Sequence, residues 1–444
     1  MEIKLVKRSL KSRPLKIIVK NGKVIWRKKD KRNISRKLKA DKQENFFKSV
    51  FTSPRNRLLL EKMKKRVKLL SATPKEKQLA EQIIFSLRQG VAPMEGVLRF
   101  SVGRESILKL VQQDLNFVRN GNSRLRLVNG IYGSGKTHIL KIIQEYAYIK
   151  NFATSFITLT ARECPMYDLS VVYEHIVKGI RVSNFRQAPA LQYILEEWFL
   201  RIKSIGLAEE EKILQELKKL NLDFKIALTK YRDEANRNNW REVELVLRWL
   251  QGDIKTKREV RYLRVKNYAS KDTALEMLGN IIRMLCFLGY NGLVILLDEM
   301  EAIPSLSRIV QRKQAYENLE KILNCSSRTP NSYFIYATTP YFFNEAENKI
   351  GIKKDSKKVI ELYPLPETDL KKLAIEIRNL YWQAYPWENI SRVDDENLAK
   401  FVSNFINQQN SEITARKFVR TLVSTLDICQ EYPQISLSRI LKEE

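Results

Sequence analysis

Histidine and cysteine are scarce in this chain of 444 residues: His138 and His175 are the only histidines, and Cys164, Cys286, Cys325 and Cys429 stand far apart. No CxxC pair occurs, so neither a zinc site nor a disulfide framework is expected, and four scattered thiols fit a reducing cytoplasm. Two isolated histidines leave no material for a His-rich metal site or a Ser-His-Asp triad. Long apolar runs are also missing. No stretch reaches the 18 or so residues that a membrane helix needs. The opening segment, "MEIKLVKRSLKSRPLKIIVK", has no sustained apolar core, so no signal peptide is expected. A cytoplasmic protein without a membrane partner follows from these absences.

Acidic residues are in short supply too, with 50 Asp and Glu against 80 Lys and Arg, a net charge of +30. The imbalance is local. Residues 1–70 hold 25 basic and 5 acidic side chains, a net of +20, and the rest of the chain carries the remaining +10. Such a block predicts a polyanionic partner, DNA above all, contacted through the N-terminal arm. Within the arm, 15–28 reads as a β-hairpin turning at Asn21-Gly22, the pair that a tight type I′ turn favours. Residues 28–42 read as a basic linker and 56–70 as a basic helix.

Residues 130–137, "GIYGSGKT", fit the phosphate-loop pattern G-x-x-x-x-G-K-[ST]. The strand-like "RLRLV" enters it and the helical "KTHILKIIQEYA" leaves it. Gly130, Ile131, Tyr132, Gly133, Ser134, Gly135, Lys136, Thr137 and the adjoining His138 are therefore predicted to contact a nucleotide. Lys136 would reach the β- and γ-phosphates, and the Thr137 hydroxyl would ligate magnesium. A second motif, Asp298-Glu299, closes the apolar run Leu293–Leu297. Carboxylates at the carboxyl end of a buried parallel strand lie where such sheets bind ligands. Asp298 is predicted to hold the metal, and Glu299 to accept a proton from the attacking water. Thr338 and Thr339 end the next strand, where a hydroxyl can meet the γ-phosphate or the water. Arg416, with Arg420 as a rival, lies on a late helix able to fold over the nucleotide.

These features in this order resemble the AAA+ ATPases, which carry an extra strand between the phosphate-loop strand and the Asp-Glu strand. "FSVGRES" (100–106) resembles an element of the origin-recognition branch whose backbone lies near adenine, which implies Val102, Gly103 and Arg104 as adenine contacts. "LRQGVAPMEGVLRFSVGRE", "GIYGSGKTH", "GYNGLVILLDEME", "YATTPYFF" and "ELYPLPETDLKKLA" together resemble the ATP-binding proteins of BREX phage-defence systems, over roughly 78–430. The resemblance implies an α/β P-loop AAA+ fold. Its expected parts are a basic N-terminal extension (1–75), a first core segment (76–188), a helical insertion (189–290), a second core segment (291–365) and a C-terminal helical lid (366–444). It also implies ATP and Mg²⁺ as cofactors, ATP hydrolysis coupled to DNA or a DNA-acting partner, other defence proteins as partners, and a homo-oligomer. An origin-type DNA loader and a nucleotide-gated scaffold with little turnover are the competing readings. One departure stands out: the segment between the fourth and fifth strands, where AAA+ rings place an arginine finger, offers only lysines such as Lys353, Lys354, Lys357 and Lys358.

Overall fold

A computed structural model describes residues 73–432, with breaks at 187–188, 205–219, 326–328, 343–344, 346–348, 350–357, 387–392 and 409–412, together with residue 437 and three strands in the first 27 residues. The chain divides into a unit of Met1–Lys68 and a unit of Leu69–Glu444. In the first unit, β2 (Lys16–Lys20) and β3 (Lys23–Arg27) pair antiparallel, with Lys20 opposite Lys23. The predicted turn residues themselves, Asn21-Gly22, lie outside the described residues. A short strand that the sequence reading missed, β1 (Glu2–Ile3), adds to β2. The predicted linker at 28–42 and helix at 56–70 lie outside the described residues.

The second unit is built on a sheet of β4 (Ser123–Asn129), β5 (Ala153–Thr158), β6 (Ile180–Arg181), β7 (Leu293–Asp298), β8 (Ser332–Thr338) and β9 (Val359–Glu361). Its spatial order is β6-β5-β7-β8-β4-β9, and every pairing is parallel except β5 with β6. The strand that enters the phosphate loop, β4, is thus separated from the Asp-Glu strand β7 by β8. This is the inserted strand of the predicted AAA+ arrangement.

Why these segments are strands is visible in their burial. Every residue of β7 and of β8 is buried. Leu293, Ile295 and Leu297 face one apolar core, while Val294 and Leu296 face the other. The two-residue alternation of a pleated strand delivers apolar side chains to both faces, so the run reads as continuously apolar.

Helices cover both faces. One face carries α1 (Pro74–Arg88), α2 (Glu105–Arg119) and α3 (Lys136–Ile149), joined by the late helices α11 (Glu367–Ala384), α12 (Asp395–Gln408) and α13 (Ala415–Glu431). The other carries α4 (Leu169–Lys178), α5 (Leu191–Ser204), α6 (Leu222–Asn236), α7 (Trp240–Gln251), α8 (Lys257–Leu263), α9 (Ala274–Phe287) and α10 (Ile309–Cys325). The helices between 191 and 287 share one continuous core with the sheet. They do not form a subdomain packed only on itself.

Local chemistry sets several boundaries. Thr73 and Glu76 close a reciprocal capping box at the start of α1, with Pro74 at its first position. Arg99 and Phe100 close a 3₁₀ turn at Val97–Phe100 ahead of α2. A buried network locks α2 to the sheet: Arg126 donates to both oxygens of Asp114 at 2.7 and 2.9 Å, and the Tyr333 hydroxyl donates to the same carboxylate at 2.9 Å. A buried ion pair keeps its place only when its remaining hydrogen-bonding capacity is met in this way.

Candidate nucleotide site

The phosphate loop connects β4 to α3. Gly133 and Gly135 take positive φ angles of 80° and 100°, which side chains with a Cβ rarely adopt. At Gly133 a Cβ would also lie 3.1 Å from Thr414. No side chain caps α3, so its first-turn N–H groups are free to meet an anion. Lys136 is buried and bends back over its own loop, donating to the carbonyls of Gly130 at 3.0 Å and Ile131 at 3.3 Å.

The Thr137 hydroxyl donates to Asp298 Oδ2 at 2.7 Å, joining the two motifs across 161 residues of sequence. Burial raises the pKa of Asp298, against the Thr137 bond and the nearby Lys136 charge, which favour its ionised form. Glu299 follows with a left-handed backbone, φ 62°, an uncommon conformation for a residue with a side chain. Its N–H donates to Asp298 Oδ1 at 3.1 Å. Glu301 adds a third carboxyl. Burial and the Glu299 charge raise its pKa, while Lys136 opposes the shift.

From the loop a cavity runs to an apolar end. Tyr132, Gly133, Ser134, Gly135, Lys136, Thr137, His138 and Glu299 line the polar end. Leu87, Val91, Phe100, Val102, Leu365 and Val419 are among the apolar lining. Arg104 stands between them, its guanidinium donating weakly to the carbonyls of Tyr363 and Ser134 at 3.3 and 3.4 Å. Gly103 does not line the cavity; a Cβ there would strike the Asp369 carboxylate at 2.5 Å. His138 packs on Phe100 with ring centroids 5.0 Å apart. Burial, helped by the Arg104 charge, pushes its pKa down to about 4, so the ring is neutral near pH 7.

The start of α13 reaches the loop directly. The Arg416 N–H donates to the Gly133 carbonyl at 3.2 Å. The Arg416 guanidinium sits 4.7 Å from the centre of the Tyr132 ring and donates to its hydroxyl. Arg416 lines the cavity and Arg420 does not.

Other predicted residues lie behind this wall. Gly130 and Ile131 face the loop interior through their contacts with Lys136. Thr338 is fully buried, its hydroxyl has no partner among the described residues, and its carbonyl accepts from the Gly130 N–H at 3.2 Å. Thr339 is partly exposed beyond it and outside the lining. Lys358 is exposed at the entrance to β9, while Lys353, Lys354 and Lys357 lie outside the described residues.

Residues 76–444 match the family described as BREX system ATP-binding protein BrxC/D. The chain belongs to that family. Among solved structures, the ORC2 protein of Aeropyrum pernix, described in ADPNP and ADP complexes, is similar over 77% of this chain and 67% of that chain. The identity is 14% and the TM-score 0.42. No individually curated protein matches the chain.

In this BrxC/D-family chain the apolar wall from α1 and its following turn escaped the sequence reading, as did Glu301. "RQGVAP" carries no chemical signature by itself. Only the fold brings Leu87, Gly90 and Val91 against the loop. Glu301 had a signal, since "DEME" places a third carboxylate two residues past Glu299.

Proposed function

We propose that this protein binds Mg·ATP in the cavity, hydrolyses it, and uses the cycle to act on DNA or on a DNA-acting partner of a BREX system. The observation that carries the reading is the cavity itself. One continuous space joins an apolar end sized by Phe100, Val102 and Leu365 to a glycine-shaped loop with a buried lysine, a carboxylate and a lid arginine.

The division of labour follows from the chemistry of each wall. The apolar end accepts a purine ring. The loop N–H groups and Lys136 hold the phosphates, Lys136 exchanging neutral carbonyl partners for charged oxygens. The Thr137 hydroxyl and the Asp298 carboxylate, 2.7 Å apart, are hard oxygen donors that suit magnesium, which takes its other ligands from phosphate and water. Bound there, the ion would offset charge on the phosphates. Glu299 accepts the proton of the attacking water, and Arg416 answers charge on the γ-phosphate. Thr338 supports the loop from behind, its carbonyl holding the Gly130 N–H at 3.2 Å.

Steady-state phosphate release tests the assignment. Glu299→Gln keeps the shape but cannot accept a proton, so turnover is expected to fall by about 100-fold or more with ATP affinity retained. Turnover equal to the parent's would remove Glu299 as the base.

A further inference from the structure

Residues 237–266 hold nine Lys and Arg against four Asp and Glu, a net of +5. That is half of the +10 found outside the first 70 residues, packed into one helical hairpin. The hairpin is α7 and α8, which line a shared groove with Arg241, Arg248, Arg258 and Arg261 on its walls. Val246, Leu250, Val260 and Leu263 anchor the two helices inward, so the basic side chains point away from the core.

Most of this charge is not spent within the protein. Arg241, Arg258, Arg261, Arg264, Lys257 and Lys266 are exposed and make no ion pair among the described residues. The acidic residues of the groove are largely engaged. Glu242 binds Lys230 at 2.8 Å and accepts from the Tyr262 hydroxyl at 2.6 Å, and Glu259 binds Arg248 at 3.3 Å. Glu244 also lines the groove. Two aromatic rings stand out in the same region: Trp240 at 58% and Tyr262 at 60% exposure. Lys230 lies 4.9 Å from the Tyr262 ring and the Glu242 bond fixes its hydroxyl, so this ring is held in place although it is exposed.

We propose that the α7–α8 groove is a nucleic-acid contact surface, separate from the N-terminal arm. Arg258 and Arg261 lie about one helical turn apart, and Arg241 and Arg248 about 10 Å apart along α7. Guanidinium groups in two such rows track a chain of phosphates, where a compact acidic peptide would need only one cluster. The exposed rings add a surface on which unpaired bases stack. The inference rests on the reading that the protein works on DNA and is independent of the ATP chemistry.

The test is fluorescence anisotropy with labelled single-stranded and duplex oligonucleotides of equal length. The full chain is used without nucleotide, over a series of salt concentrations. Arg258→Gln/Arg261→Gln is compared with Lys75→Gln/Lys109→Gln, which removes two exposed charges elsewhere, and melting curves establish that both variants fold. Losing two phosphate contacts is expected to lower the log–log salt slope by roughly 1.4 for single strands or 1.8 for duplex, and affinity near 0.1 M salt by roughly tenfold or more. The control variant is expected to match the parent. Trp240→Ala is expected to weaken single-stranded binding more than duplex binding, because unpaired bases stack on the ring, and an unchanged single-stranded affinity would remove the stacking role. Equal slopes and affinities for parent and Arg258→Gln/Arg261→Gln overturn the inference and leave the arm as the DNA site. A parent protein that binds neither oligonucleotide overturns it together with the DNA reading.

Discussion

At the scale of single residues, Arg416 and Arg420 separate two roles that their sequence spacing left open. Arg416 stacks on Tyr132 and lines the cavity, whereas Arg420 faces another groove. Arg416→Ala is expected to weaken ATP by about tenfold or more and ADP far less, since a lost charged hydrogen bond costs about 1.5–3 kcal/mol. Arg420→Ala should alter neither by much. Competition binding with the two nucleotides checks both, and equal effects on ATP and ADP would demote Arg416. Lys141 gives a pH-dependent case. It is buried against Phe156, 3.9 Å from the ring centre, and burial, with Arg181 nearby, pushes its pKa down to about 8. A lysine depressed on folding costs stability. The cost is complete below about pH 8, where the folded protein must bury a charge, and fades as pH rises toward the unfolded value of about 10.4. Lys141→Met is therefore expected to gain about 1–3 kcal/mol at pH 7 and little at pH 10, read from denaturant unfolding at the two pH values. A gain that is independent of pH would place the effect in packing instead.

At the scale of elements, an ion pair ties α13 to α1. Arg88 at the end of α1 donates twice to Asp427 of α13, both bonds 2.8 Å, and the Tyr381 hydroxyl of α11 adds a third at 2.7 Å. Removing the shared acceptor strips Arg88 of both bonds, while the Tyr381 hydroxyl keeps Gln430 Oε1 at 2.6 Å. Asp427→Ala is expected to cost about 1–3 kcal/mol in unfolding and to weaken ATP, because Leu87 and Val419 of the same two helices form part of the cavity wall. Unchanged nucleotide affinity would show that lid docking and the site are uncoupled. The strands were the legible elements. β7 and β8 announce themselves because burial on both faces leaves an unbroken apolar run, and the phosphate loop because its glycines serve backbone angles that few other residues adopt. The lid contact was less legible. Nothing in "LRQ" or "TLDICQE" marks Arg88 and Asp427 as partners across 339 positions; only the packing of α1 against α13 does. The short strand β6 was hidden for a similar reason, since two residues are too few to show a period.

At the scale of the whole molecule, charge and catalysis occupy different stretches of chain. Residues 1–70 hold +20, and the cavity-lining residues among the described ones run from Leu87 to Val419. Deleting residues 1–70 is expected to weaken DNA binding and flatten its salt dependence by roughly 0.9 per lost duplex phosphate contact, with ATP affinity unchanged. A slope that survives deletion would move the DNA site to the remaining surface. Calorimetric titration of Mg·ATP into the parent and Lys136→Ala proteins probes the nucleotide cavity itself. The parent is expected to bind one ATP per chain, and Lys136→Ala, stripped of the buried cation that faces the phosphates, to show no measurable heat of binding while melting as a folded protein. Equal affinity in the two proteins would contradict the account.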